Sequence, residues 1–190
     1  MTTIIQNLKE AIIGEYTAQR KYELFSKVAI KDKQPMIAKL YKAISLAEAI
    51  HIKNHLRALE KITNKKFNID EIVSSDGFEL SIYTQSTRHN LINAISGETY
   101  EFKKMYKEFF KYAKKKDMYL AEFSFDLARK AEKVHSELFR KYLKLLDSRN
   151  NVNEIQIFLC TIYGNVELNQ PPLVCPNCDH DQQFFKEIFL

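Results

Sequence analysis

The chain has 190 residues, 45% hydrophobic and 28% charged, with only four glycines and four prolines. That composition describes one ordinary soluble domain, with or without a small appendage, and excludes a disordered or collagen-like chain. So few turn formers argue against an all-β fold and for long helices. The net charge of +5 is unevenly divided. Residues 151–190 hold Lys186 against Glu154, Glu167, Asp179, Asp181 and Glu187, which leaves the first 150 residues strongly basic. No nucleic-acid motif accompanies the basic excess, so Lys114-Lys115-Lys116 reads as solvated surface and no nucleic-acid partner is expected. No apolar run reaches about 18 residues. Lys9, Glu10 and Glu15 interrupt the N-terminal apolar stretch, so neither a membrane span nor a signal peptide is expected, and the expected location is cytoplasmic.

In chain order, helical periodicity runs from after Thr2 or Thr3 to about Ile30, with Ile5, Leu8, Ile12 and Tyr16 mostly on one face. Lys31-Asp32-Lys33-Gln34 breaks it, and Pro35 suits the first turn of a second helix that lasts to about Thr63. A third helix starts near Ser86 or Thr87 and ends near Lys116. Asp117 then caps a fourth that ends near Asp147. Connections within each pair are short, whereas about 22 residues, 64–85, including Ser74-Ser75-Asp76-Gly77, separate the second helix from the third. Two tight hairpins joined by one long crossover predict a mainly α chain, a ferritin-like four-helix bundle over residues 1–150.

Past Asn150-Asn151 the pattern changes to Ile155-Gln156-Ile157-Phe158-Leu159, then turn residues and cysteines. A second, small, non-helical module is expected over residues 151–190. Cys160, Cys175 and Cys178 all fall there, the last two as a C-x-x-C pair. An odd, clustered set without a secretion signal points to metal before disulfides. Plain burial as a small hydrophobe stays open for Cys160.

The hairpins resemble each other. Leu8-Lys9-Glu10-Ala11-Ile12-Ile13-Gly14-Glu15 matches Leu91-Ile92-Asn93-Ala94-Ile95-Ser96-Gly97-Glu98 at five of eight positions, and Ala47-Glu48-Ala49-Ile50-His51 aligns with Ala131-Glu132-Lys133-Val134-His135. The offsets, 83 and 84, imply a pseudo-two-fold bundle whose halves supply equivalent groups. Each half thus has a glutamate followed by Glu-x-x-His: Glu15, Glu48 and His51, then Glu98, Glu132 and His135. Residues three apart share a helix face, so each Glu-x-x-His can grip one ion, with Glu15 and Glu98 contributed by the neighbouring helices. One such motif is expected about 0.4 times by chance, but two at matched offsets are not. Four carboxylates and two imidazoles suit a pair of iron or manganese ions.

Glu101 lies one turn beyond Glu98, where the first half has Ala18, and is a candidate additional ligand. Tyr22 and Tyr106 follow Glu15 and Glu98 by about two turns; their hydroxyls can hydrogen-bond the ligand carboxylates, or the rings can simply pack. His55 and His89 have no matched partner and read as surface or capping residues.

With Glu15, Glu48-x-x-His51, Glu98-x-x-Glu101 and Glu132-x-x-His135 in place, the chain resembles the rubrerythrins from about Ile5 to Lys144, most closely at Ala94-Ile95-Ser96-Gly97-Glu98-Thr99-Tyr100-Glu101. The likeness continues into a rubredoxin-like tail, with Cys160-Thr161-Ile162-Tyr163-Gly164 as its first knuckle and Cys175-Pro176-Asn177-Cys178-Asp179 as its second. The family carries C-x-x-C-G in the first knuckle, so Tyr163 stands where a cysteine is expected. The three remaining thiolates can hold iron or zinc with Tyr163, His180 or water as the fourth ligand, or the module can hold no metal.

The resemblance implies a non-haem di-iron peroxidase that reduces hydrogen peroxide to water in oxidative-stress defence, with two iron ions in the bundle. It also implies that one iron changes ligand between His51 and Glu101 on redox change; Tyr22 and Tyr106 join them as candidate catalytic residues on their spacing alone. A reductase or rubredoxin is the implied electron donor, and a homodimer or small homo-oligomer the implied assembly. The competing expectation is a ferroxidase or iron-handling ferritin relative whose tail is a structural or docking module. Glu101 favours the peroxidase.

Overall fold

The computed structural model describes residues 3–74, 84–148 and 155–190. Helix α1 spans Ile4–Lys31, opened by a capping box in which Thr3 and Gln6 satisfy each other's backbone N–H groups. Helix α2 spans Pro35–Thr63, with Pro35 in its first turn and Asn64 closing it in the left-handed conformation. A short helix, α3 at Ile69–Ser74, occupies part of the crossover, while Ser75-Asp76-Gly77 lies outside the described residues. Helix α4 at Thr87–Tyr100 continues through a π-helical turn, Glu101–Met105, into α5 at Tyr106–Lys115. Helix α6 spans Tyr119–Asp147.

The structure corrects two local expectations. Ile4 and not Ile5 joins Leu8 and Ile12 inside, leaving Ile5 40% exposed. Asp117 does not cap α6: it sits at φ 53° and ends α5, its N–H bonding to the Lys114 carbonyl while the next N–H bonds to that of Ala113. Two backbone bonds that close the preceding helix fix its conformation, so the N-cap falls to Met118.

The apolar faces meet in two clusters. Tyr22, Phe25, Tyr41, Ile44, Phe139 and Tyr142 anchor one, and Leu8, Ile12, Leu59, Tyr106, Phe109 and Phe125 the other. In the tail, β1 (Ile157–Cys160) is the central strand, paired antiparallel with β2 (Val166–Leu168) on one side and β3 (Phe185–Ile188) on the other. The expected boundary at 150/151 lies outside the described residues. Ile157, Leu159, Val166 and Ile188 belong to the first bundle cluster, so the sheet is packed onto the helices through continuous apolar core.

Candidate metal centre

Between the two apolar clusters lies a charged layer. Glu15 comes from α1, Glu48 and His51 from α2, Glu98 from α4, and Glu132 and His135 from α6; all six are buried, none more than 1% exposed. Their ligand atoms form two tight groups, each within 4.8 Å: Glu15, Glu48, His51 and Glu132, then Glu48, Glu98, Glu132 and His135. Glu48 and Glu132 belong to both. His51 Nδ1 stands 2.8 Å from Glu132 Oε1, 2.9 Å from Glu48 Oε2 and 3.4 Å from Glu15 Oε1. His135 Nδ1 stands 2.8 Å from Glu132 Oε2 and 3.5 Å from oxygens of Glu48 and Glu98. The pseudo-two-fold expected from the repeat is visible in these pairs.

Glu101 stands outside both groups. It sits at the head of the π-helical turn, and its Oε1 lies 4.0 Å from where a Cβ on Gly14 would be. Tyr22 donates its hydroxyl proton to Glu98, and Tyr106 donates to Glu15. His89 is exposed, as expected of a surface residue, with its Nδ1 2.9 Å from the Ser86 hydroxyl at the start of α4. His55 is not a surface or capping residue. It is fully buried, with Nδ1 2.8 Å from Ser124 Oγ and Nε2 2.9 Å from the Tyr106 hydroxyl. Two buried hydroxyls satisfy both ring nitrogens, which is why burial costs it little. The available sequence signal was its place one turn beyond His51, on the same inward stripe.

The centre is electrostatically unbalanced. Burial raises the carboxyl of Glu48, and it raises those of Glu101 and Glu132 far above the usual range, with facing carboxylates adding to the effect. Burial also opposes ionisation of Glu15, but the charge of His51 overcomes it and holds that carboxyl low. Desolvation works against charged imidazoles too, yet the surrounding glutamates raise both His51 and His135 well above their ordinary value. Even so, no aligned hydrogen bond reaches the buried Glu15 Oε2, either oxygen of Glu48, His51 Nδ1, Glu98 Oε2 or Glu132 Oε1, although His51 Nδ1 stands at ion-pair distance from Glu48 and Glu132. Orphaned atoms of this kind are costly unless a cation takes them. Oxygen and imidazole donors aimed at two adjacent points fit a pair of iron ions.

The outward nitrogens of both imidazoles face the tail. His51 Nε2 is 3.2 Å from the Tyr163 carbonyl oxygen and His135 Nε2 is 3.0 Å from that of Gly164, while Asn54 donates to the Ile162 carbonyl at 2.8 Å. With Nδ1 turned to the centre, each Nε2–H donates outward, the arrangement that fixes a ligand histidine. The first knuckle therefore lies directly on the two histidines of the charged layer.

The two knuckles share one backbone pattern. Gly164 and Asp179 bond to the carbonyls of Cys160 and Cys175 four residues back, and Cys160 and Cys175 bond to those of Asn165 and His180 five residues on. Tyr163 thus occupies the register position of Cys178. Cys160, Cys175 and Cys178 cluster with all three sulfurs within 4.8 Å, and Cys160 Sγ lies 3.7 Å from Cys178 Sγ. A tetrahedral site with metal–sulfur bonds of about 2.3 Å has sulfur edges of about 3.8 Å, so the three thiols fit iron or zinc. His180 is not among the clustered donors: its Nδ1 bonds the Cys178 carbonyl and its ring meets Phe184 edge-on. The ring of Tyr163 meets Phe123 of α6 edge-on, at 5.7 Å.

Comparison with known proteins settles the family. The rubrerythrin family model matches residues 6–143. The chain belongs to the rubrerythrin family. It is 31% identical to a putative rubrerythrin of Methanocaldococcus jannaschii over 98% of this chain and 93% of that one. It is 29% identical to nigerythrin of Nitratidesulfovibrio vulgaris over 95% and 84%. A solved structure of nigerythrin in a partially reduced state superposes with a TM-score of 0.83 at 28% identity, covering 98% of this chain and 87% of that one. A bacterioferritin of Rhodobacter capsulatus, 19% identical over 76% of this chain and 86% of its own, shares the bundle fold with a TM-score of 0.65. This rubrerythrin-family chain is an oxidoreductase by family, with a two-iron bundle and a rubredoxin-like tail. Among the described residues, no helix is long and apolar enough to cross a membrane.

Contact between tail and bundle requires glycine at 164. Its φ is +74°, and a Cβ there would stand 2.6 Å from His51 Nε2 and 3.2 Å from Ala47 Cβ. Gly164→Ala should destabilise the fold by about 1–3 kcal/mol. It should also speed hydrogen exchange at the tail amides of residues 160–165 while the inner turns of α1 and α2 stay protected. Unchanged exchange in the knuckle would contradict this account of the contact.

Proposed function

We propose that the protein is a non-haem di-iron peroxidase that reduces hydrogen peroxide to water in oxidative-stress defence. The observation that carries this reading is Glu101. A fifth carboxylate, half-buried at the head of the π-helical turn, faces a closed set of four glutamates and two histidines yet lies outside both tight groups. In the proposed assignment Glu15, Glu48, His51 and Glu132 would hold one iron, Glu48, Glu98, Glu132 and His135 the other, and Glu101 would be the exchangeable donor. Iron held by these residues would supply the two electrons of the overall reduction, in which H2O2, two protons and two electrons give two waters.

The chain's own residues shape that chemistry. Tyr22 and Tyr106 hold Glu98 and Glu15 in place through donated hydrogen bonds, and Nε2–H bonds to the knuckle carbonyls fix both imidazole rings. The carbonyls belong to the same five-residue turn as Cys160. That continuity supports electron entry from the tail, with a reductase or rubredoxin as proposed donor and a homodimer or small homo-oligomer as proposed assembly.

Replacing both Glu48 and Glu132 with Ala should remove most bound iron, because each supplies oxygens to both groups. Glu101→Ala should keep iron but lose peroxide turnover. In stopped flow, the reduced wild-type protein should be oxidised by peroxide much faster than by dioxygen. Equal or faster oxidation by dioxygen would move the function to ferroxidase, and two tightly bound irons in the double variant would overturn the ligand set.

A second prediction concerns Tyr163. The intense colour of rubredoxin-type iron needs four thiolates, and this tail offers three. The isolated protein should therefore lack that spectrum, and Tyr163→Cys should create it, since the knuckle backbone already has the right register. A wild-type protein with the full spectrum, or a folded Tyr163→Cys tail that gains no iron, would contradict it.

A further inference from the structure

We infer that Ser124, His55 and Tyr106 form a directed hydrogen-bond chain that carries protons from a surface groove to Glu15 at the bundle centre. The inference rests on the peroxidase reading, because that reaction consumes two protons for each peroxide.

The direction of the chain follows from counting hydrogens. A tyrosine hydroxyl has one proton, and that of Tyr106 is donated to Glu15. Its oxygen must then accept from its other neighbour, His55 Nε2, 2.9 Å away. A neutral imidazole with its hydrogen on Nε2 has a bare Nδ1, which accepts the hydroxyl proton of Ser124 at 2.8 Å. Every donor therefore points toward Glu15. Burial, which pulls the imidazole's basicity down, agrees with a neutral ring.

The outer end, Ser124, is only 3% exposed but borders an open groove. Ser124 lines a groove of about 780 Å³ between α2, α6 and the tail, together with Asn54, Arg57, Phe123 and Tyr163. One passage breaks and forms one bond at each link. Tyr106 O–H gives its proton to a Glu15 oxygen and takes the one on His55 Nε2. Nδ1 takes the proton of Ser124, and Ser124 takes one from groove water. No electron moves along this chain. Reorientation of the ring and hydroxyls between turnovers restores the inward polarity.

The internal repeat supplies a built-in control. At the offset of 84 that relates Tyr22 to Tyr106, His55 corresponds to Phe139 and Ser124 to Leu40. Both counterparts are fully buried in the apolar cluster, and Phe139 lies 5.3 Å from the Tyr22 ring. Tyr22 thus makes the same bond to its glutamate but leads nowhere. Among the described residues, only the half with Tyr106 has a polar path outward from its tyrosine. Packing alone does not ask for that asymmetry, since the apolar solution is present in the other half.

The test uses three full-length proteins: wild type, His55→Phe, which copies the other half, and Ser124→Val, which removes the hydroxyl and leaves no room for a water. Nitrogen NMR of the zinc-loaded wild type should show His55 carrying its hydrogen on Nε2. Both variants should bind iron as wild type does. Their peroxide turnover should fall about tenfold or more, with a larger solvent deuterium isotope effect. Hydrogen on Nδ1, or unchanged turnover and isotope effect in Ser124→Val, overturns the relay. If His55→Phe folds poorly, Ser124→Val decides alone, since it leaves the metal layer untouched. A wild type with the Nε2–H form but no peroxide turnover overturns the peroxidase reading. An active wild type with an equally active Ser124→Val overturns only the relay.

Discussion

Four glutamates and two histidines packed into a buried layer between apolar clusters cannot be stable on their own terms. Each carboxylate faces others across a few ångströms, and protons on the imidazoles and on some of the carboxyls neutralise the layer only in part. Two cations replace those protons and give partners to the orphaned oxygens at once, so metal binding releases protons and adds to folding stability. The long helices, the apolar clusters above and below, and the paired Glu-x-x-His motifs all serve to hold this layer shut.

The tail completes the layer from outside. An imidazole committed to the centre through Nδ1 needs an acceptor for its other N–H, and the carbonyls of Tyr163 and Gly164 provide one for each ring. So close a contact is possible only where the knuckle has no Cβ, at Gly164. The same turn holds the first sulfur of the cysteine cluster. Fold, imidazole orientation and the proposed route for electrons thus meet in five residues, in which Tyr163 takes the register position that Cys178 holds in the second knuckle. The pseudo-two-fold is kept where metal geometry demands it and dropped at His55 and Ser124, where the two halves differ in how their tyrosines connect to the rest of the molecule.

Much of this was legible in the sequence because it is periodic. Helices α1 and α2 begin and end within a residue or so of where Thr3, Pro35 and the apolar spacing place them, and repetition of Gly-Glu and Glu-x-x-His marked the six residues that the fold buries together in the charged layer. What escaped was set by tertiary contact. His55 has no motif; its role depends on Ser124 and Tyr106, 69 and 51 residues away. The docking carbonyls of Tyr163 and Gly164 are backbone atoms, which no residue pattern announces. Asp117 looked like a helix cap, but the preceding helix claimed its N–H first. The π-helical turn at Glu101 likewise has no signature in residue type.

The central claim is that the charged layer is a two-metal site. Anomalous diffraction at the iron edge, from crystals of iron-loaded protein, tests it most directly. The account predicts two peaks about 3.5–4 Å apart, each beside one of the Nδ1 atoms of His51 and His135, with Glu48 and Glu132 oxygens at both. A single peak, or iron found only at the cysteine cluster, would contradict it.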